Sequence, residues 1–201
     1  VRGGGEMGEH WHKEALFECK KNSFLDYIAV ANHLIEQKYT YKSGICFLGG
    51  SAGGLTGTAV ANMAPELFFS TLLLVPFCDP LTTMLNEKLP LTPSEWELWG
   101  NPIKSKKYFE SILSYSPYNN LRRTSYPPML VTTSLFDSRV LYSEVVKYVA
   151  KLRELKSDKN LQLLKCKMKA ASHGGPSGRD NSIKELAEEF SFILKTAGIK
   201  N

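Results

Sequence analysis

With 201 residues, 43% of them hydrophobic and 22% charged, the chain has the size and balance of one globular domain with a sizeable core, not of a disordered segment. Its formal net charge of +5 is spread along the sequence, leaving no dense basic block of the kind that binds nucleic acid or a membrane surface. The longest uncharged runs, such as STLLLVPFC at 70–78, fall well short of the roughly 20 apolar residues that span a bilayer.

The first residue is Val1, and VRGGGE reads as the end of a strand entering a loop, so the expectation is a piece of a larger protein. His10 and His12, with Glu6 and Glu9 nearby, give an H-x-H spacing without a cysteine or a clear third ligand; structural or surface roles outweigh a metal site. Ser23 and Asp26 resemble a capping box, after which Phe24, Tyr27, Ile28, Ala31, Leu34 and Ile35 share one face of a helix ending near Lys38. Residues 44–50 read as a buried strand and 53–64 as a helix; 70–78 is a second buried strand, bounded by Pro76 and Asp79. Continuous apolar strands of this kind suit a parallel sheet covered on both faces.

Residues 80–127, rich in proline, tyrosine, serine and asparagine, read as an insertion with short helices near 93–99 and 105–113. The core resumes with PMLVTTSLF as a strand and a helix at 141–155 with Leu141, Val145, Tyr148, Val149 and Leu152 on one face. A strand at 161–168 and a glycine-rich loop follow. The last helix then opens on a capping box, Ser182–Glu185, and presents Ile183, Leu186, Ala187, Phe190, Ile193 and Leu194 for burial. The order β-α-β-insertion-β-α-β-α is that of an α/β sheet with right-handed crossovers, whose ligands bind at the strands' carboxyl ends. Cys19, Cys46, Cys78 and Cys166 have neither CxxC nor metal-ligand spacing and read as reduced core thiols of a cytosolic protein.

Gly49-Gly50-Ser51-Ala52-Gly53 matches G-x-S-x-G. At ordinary glycine and serine frequencies a chain of this length shows one by chance about once in fifteen, but this one lies between a predicted strand and a predicted helix, the context of a nucleophile elbow. Such a turn needs small neighbours two residues either side of the serine, supplied by Gly49 and Gly53, and places the Ala52 N–H to donate to an oxyanion. With no P-loop lysine and no GxGxxG, a nucleophile outweighs a phosphate cradle or a plain turn. In this chain order a base must follow the serine, and of His10, His12, His33 and His173 only His173 does so, in the loop AASHGGPSGR. Two acids stand at strand carboxyl ends, Asp79 and Asp137, with a modest preference for Asp137.

The segments RGGGEMGEHWHK, GGSAGG, ANMAPELF, WGNP, YSPYNN, YPPMLVTTSLFDSRV and HGGPSGR resemble the catalytic domain of the prolyl oligopeptidase family, most nearly its oligopeptidase B branch. The resemblance covers essentially the whole chain. It implies the carboxy-terminal portion of an α/β-hydrolase fold, with about four parallel strands. The remaining strands and a β-propeller would lie upstream in a longer parent chain. It further implies a serine peptidase with Ser51 as nucleophile, Asp137 as acid and His173 as base, leaving Asp79 structural. Arg139 matches a position that binds a substrate carbonyl, and Glu95 and Glu97 match carboxylates that bind the basic side chains before the scissile bond. A second oxyanion donor would be a tyrosine upstream of RGGGE, which this chain does not contain.

The expected activity is therefore cleavage of short peptides after Arg or Lys through an acyl-enzyme, with no metal or cofactor required. The rivals are an esterase or prolyl-specific peptidase on the same frame, and a catalytically inactive binding fragment. With only the later strands present, the strand at 44–50 becomes an apolar edge, and the 201 residues alone are expected to be poorly stable and nearly inactive.

Overall fold

The protein is described by a computed structural model covering residues 1–169, 172–175 and 178–199. Ala170, Ala171, Pro176 and Ser177, within the expected glycine loop, lie outside the described residues. Four strands, β1 (Ile45–Gly50), β2 (Phe68–Leu74), β3 (Met129–Ser134) and β4 (Gln162–Lys167), form one parallel sheet in the order β1-β2-β3-β4. The helices are α1 (Glu9–Lys13), α2 (Lys21–Glu36), α3 (Ala52–Met63), α4 (Pro80–Met84), α5 (Thr92–Trp99), α6 (Lys106–Leu113), α7 (Tyr142–Leu155) and α8 (Arg179–Thr196). This is the parallel, helix-flanked arrangement of an α/β-hydrolase.

Alternation along the strands divides the core in two. Leu73, Met129 and Val131 point into a large cluster with Phe24 and Ala31 of α2, Leu55, Ala59 and Val60 of α3, and Val145, Tyr148 and Leu152 of α7. Leu72 and Leu130 point the other way, where they meet Phe192 of α8. The sequence reading of β2 to residue 78 is too long: Val75 has φ +43°, a turn that a β-branched residue adopts only under strain, and it ends the strand before Pro76. β1 is an edge strand with Leu48 exposed.

Neither expected capping box forms. Ser23 and Asp26 lie inside α2; the Ser23 hydroxyl donates to the Arg2 carbonyl at 2.7 Å, and Asp26 accepts from the Arg2 backbone N–H at 2.8 Å and its guanidinium at 2.6 Å. These bonds fasten the RGGGE loop to α2, and the Arg2 guanidinium holds the Asp26 carboxyl below its ordinary range. Ser182 likewise lies inside α8, donating back to the Gly178 carbonyl at 3.2 Å. Of the expected α8 face, Ile183, Leu186, Phe190 and Leu194 remain 53%, 51%, 51% and 42% exposed. Leu34 and Leu141 are also exposed, and of the four free cysteines only Cys78 is buried.

Candidate active site

β1 runs at register with β2 up to Gly50↔Leu74, and the chain then reverses into α3 through Ser51. Ser51 has φ +53° and ψ −121°, a conformation that costs a non-glycine residue of order 1–3 kcal/mol and persists only where the surroundings impose it. Three backbone bonds impose it here: Ser51 N–H donates to Leu74 O at 2.9 Å, and Ser51 O accepts from Leu55 N–H at 3.1 Å and Phe77 N–H at 3.0 Å. Although Ser51 occupies the N-cap of α3, its side chain makes no capping bond, so the hydroxyl is not committed to the helix. Ala52 is the first helical residue, and its N–H therefore has no intrahelical acceptor.

The glycines of the motif divide differently from the sequence reading. A Cβ on Gly49 would lie 2.7 Å from Phe47 Cε1 and 2.8 Å from the Gly53 carbonyl oxygen, so Gly49 is required by close approach. A Cβ on Gly53 would meet nothing within 4 Å. The strand–helix contact is made further along, by Gly54, where a Cβ would come within 2.5 Å of Pro76, and by Gly57, where it would come within 2.3 Å of Phe47 and 2.6 Å of Leu73.

The loop after β3 carries Asp137, whose side chain is fully buried. One carboxylate oxygen accepts from the N–H groups of Arg139 at 2.9 Å and Val140 at 3.0 Å; the other lies 2.8 Å from His173 Nδ1. His173 sits at the second position of a turn closed by Gly175 N–H to Ser172 O at 3.0 Å. The Nδ1 that faces Asp137 is thereby the natural proton-bearing nitrogen, leaving Nε2 as the basic one. Asp79, the other acid considered, is buried away from this pair: it accepts from Thr82 N–H at the start of α4 and forms an ion pair with Lys147.

Ser51 and Ala52 open onto a cavity of about 150 Å³. Ser138, Arg139, Val140 and Leu141, directly after Asp137, form one wall; Thr83, Met84, Glu95 and Trp99 from α4 and α5 form another, with Phe77 between them. Glu95 is half-buried and accepts from Trp99 Nε1–H at 3.0 Å, while Lys20 Nζ lies 4.8 Å from the centre of the Trp99 ring. Burial lowers the Lys20 pKa. Arg139 is exposed at the cavity rim. Glu97, roughly 200° round the helix from Glu95 at the α-helical repeat, is exposed and absent from the cavity lining. His12 Nδ1 lies 2.8 Å from the Gly3 carbonyl and so fixes the RGGGE loop, while His10 is exposed.

Phe77, Thr83 and Trp99 were not identified from the sequence as parts of the site. Trp99 was signalled by its i+4 spacing from Glu95, which brings an indole N–H to a carboxylate on the same helix face; Thr83 carried no such sign. Among the described residues no group of three or more His, Cys, Asp or Glu is placed to hold a metal ion, and no helix is long and apolar enough to cross a membrane.

Residues 1–200 match the family model described as the prolyl oligopeptidase family. Protease 2 of Moraxella lacunata is 48% identical over 200 residues, covering 100% of this chain and 29% of that protein. Dipeptidyl aminopeptidase BI of Pseudoxanthomonas mexicana is 46% identical over 199 residues, covering 99% of this chain and 27% of that protein. The solved oligopeptidase B of Trypanosoma brucei, in a closed form with covalently bound antipain, superposes with a TM-score of 0.96 at 43% identity, covering 100% of this chain and 28% of that one. The chain thus spans less than a third of the length of the relatives it matches.

Proposed function

The chain belongs to the prolyl oligopeptidase family, and from that premise we propose that it carries the catalytic centre of a serine peptidase that cuts short peptides after Arg or Lys. Ser51 Oγ attacks the scissile carbonyl while His173 Nε2 takes its proton. Asp137 holds the imidazole by Nδ1 and stabilises its charged form. The Ala52 N–H, at the positive end of α3, donates to the developing oxyanion. His173 returns the proton to the leaving amine, and water then releases the acyl group from Ser51 by the reverse use of the same base. Side chains and water account for every proton and bond in this sequence.

The observation that carries the specificity is Glu95, a half-buried carboxylate in the same cavity as Ser51. A carboxylate shielded from water selects a guanidinium or ammonium by charge-assisted hydrogen bonds. One Glu95 oxygen is occupied by Trp99, which aims the other. Arg139, at the rim, binds a backbone carbonyl of the peptide. Glu97, exposed on the far side of α5 from Glu95 and outside the cavity lining, is assigned the basic side chain one residue further from the scissile bond. Four free thiols suit a reducing compartment, and we place the protein in the cytoplasm.

The test is hydrolysis of Arg-coumarylamide and Arg-Arg-coumarylamide by the natural full-length protein beside its Ser51→Ala form. Turnover is expected to vanish in Ser51→Ala. Glu95→Gln is expected to weaken both substrates, and Glu97→Gln only the Arg-Arg one. A folded wild-type protein that reacts at Ser51 with a fluorophosphonate but shows no preference for basic residues would sink the substrate assignment.

A further inference from the structure

Beneath the cavity lie two enclosed carboxylates, Asp79 at 0% and Glu144 at 5% exposure. Glu144 Oε1 accepts from the Asp79 backbone N–H at 2.7 Å, and Oε2 accepts from the Thr83 hydroxyl at 2.9 Å. The groups that face Glu144 are Asp79, Cys78 and Thr83 from the β2–α4 side, with Lys147 and Tyr148 nearby on α7 itself. Lys147 pairs with Asp79, not with Glu144, so of the two buried carboxylates only Asp79 has a cation beside it among the described residues. Burial, with the Asp79 charge adding to it, pushes Glu144 up to about 7, and its two oxygens bridge the Asp79 N–H and the Thr83 hydroxyl.

The placement of that bridge gives it a use. Glu144 stands in the first turn of α7, three residues after Leu141, the last residue of the Ser138–Leu141 wall. Its two partners belong to α4, which carries part of the opposite wall: Asp79 is its N-cap and Thr83 lies within it. Thr83 itself lines the cavity; its carbonyl accepts from the Thr92 hydroxyl at 3.0 Å, and the Met84 carbonyl accepts from Trp96 Nε1–H at 3.1 Å. Thr92 and Trp96 flank Glu95 on α5. A continuous run of bonded groups therefore leads from the wall beside Asp137 through Glu144 and α4 to Glu95.

We propose that Glu144 is a positioning residue for recognition of the basic substrate side chain. By its two carboxyl oxygens it sets α4, and through α4 the Glu95-bearing helix, at a fixed distance from the Ser51 and Asp137 side of the cavity. The inference rests on the peptidase reading above. It concerns KM for basic substrates, since Ser51, Ala52 and the Asp137–His173 pair are held by other bonds.

The experiment uses the natural full-length protein and three variants. Glu144→Gln keeps an acceptor for Asp79 N–H and offers an N–H to the Thr83 hydroxyl; Glu144→Ala removes both contacts; Thr83→Val removes one. Each is assayed for kcat and KM on Arg-coumarylamide and for the rate of Ser51 labelling by a small uncharged fluorophosphonate, which does not need the basic subsite. Glu144→Ala is expected to raise KM by roughly 10- to 100-fold, the scale of a misplacement near 1 Å, with the labelling rate within about twofold of wild type on that same argument. Glu144→Gln is expected to restore KM, and Thr83→Val to raise it in part.

An unchanged KM in Glu144→Ala, a labelling rate that falls by as large a factor as KM rises, or a Gln variant as impaired as the Ala variant overturns the proposal. If Glu144→Ala does not fold, an unchanged KM in Thr83→Val overturns it. Wild-type turnover of the Arg substrate is measured first in the same assay: its absence overturns the peptidase reading and this proposal with it, whereas turnover with a KM indifferent to residue 144 overturns this proposal alone.

Discussion

Helices α3 and α8 lean on the same sheet, and each begins near one of the groups assigned to catalysis, yet they are packed in opposite ways. α3 starts at the residue after Ser51 and buries Gly54, Leu55, Gly57, Thr58, Ala59, Val60, Ala61 and Asn62. α8 starts six residues after His173 and buries only Phe192 fully. Ser51 is thus placed by a close-packed core, in which the helix approaches its neighbours at glycines. His173 is placed by polar contacts: a carboxylate on its ring nitrogen and a turn resting on side chains. Core packing resists displacement because a shift of even a methyl width is felt, while polar placement depends on a few named bonds and fails one bond at a time.

The largest effect expected from that difference is on Asp137. In Asp137→Asn the amide oxygen can still accept from the Arg139 and Val140 N–H groups, so the loop and the melting temperature should be nearly unchanged. The atom facing His173 Nδ1 would then be the amide NH2, a donor, and the imidazole would lose its tautomer and its counter-charge. A fall in kcat of roughly 10⁴ is expected, the scale of this substitution in other serine triads. Retention of more than about a tenth of the activity would leave Asp137 short of a triad acid on that scale and break the comparison on the α8 side.

On the α3 side the effect should appear in stability. Gly57→Ala drives a methyl against Phe47 and Leu73, and overpacking of this kind costs about 1–3 kcal/mol, visible as a lower urea midpoint at unchanged slope. Gly53→Ala has open space for its methyl and should be neutral or slightly stabilising, since alanine is the better helix former by up to about 1 kcal/mol. If Gly53→Ala proves the more damaging of the two, the motif glycine serves a purpose other than letting strand and helix approach.

This pair of glycines also marks where the sequence can be read and where it cannot. The order of strands and helices was legible because apolar runs of 6–7 residues and 3.6-residue periodicity survive any tertiary context; β1, α3, β3, α7 and β4 fall within one or two residues of their expected spans. Ser51 and His173 stood out as candidates by position and chain order, whereas Asp137 shared its strand-end position with Asp79 and was preferred outright only through the family resemblance. Capping boxes were not, because Ser23–Asp26 and Ser182–Glu185 have the right spacing but are claimed by other partners, Arg2 in one case and, in the other, Gly178 four residues back for Ser182 and Lys167 for Glu185. Glu97 shared a motif with Glu95 in sequence, but an i, i+2 spacing sends the two around the helix. Glu144 escaped notice for the opposite reason: it lies three residues from Leu141 and four from Tyr148, on the apolar face of α7, where an acid should have stood out as a buried group in need of partners.

The smallest effect sharpens the α8 side of the comparison. Lys167, at the end of β4, forms an ion pair with Glu185 of α8 at 2.6 Å, and both side chains are mostly shielded, at 17% and 21% exposure. The His173 turn sits on this pair: a Cβ on Gly175 would lie 3.2 Å from Glu185 Oε2 and 3.6 Å from Lys167 Nζ. Glu185→Gln keeps the shape and removes the charge. Lys165 retains Glu188, so α8 stays tethered, and the loss of one partly shielded pair is worth on the order of 1 kcal/mol or less. If the pair steadies the turn, kcat should fall about two- to fivefold on that scale, with KM unmoved, because the Glu95 cavity is not touched, and the melting temperature lowered by no more than about 2–4 °C. A fall as deep as that of Asp137→Asn would show that α8, and not the carboxylate, sets the imidazole. No change at all would show that the 2.8 Å contact with Asp137 positions the His173 ring without help from this pair.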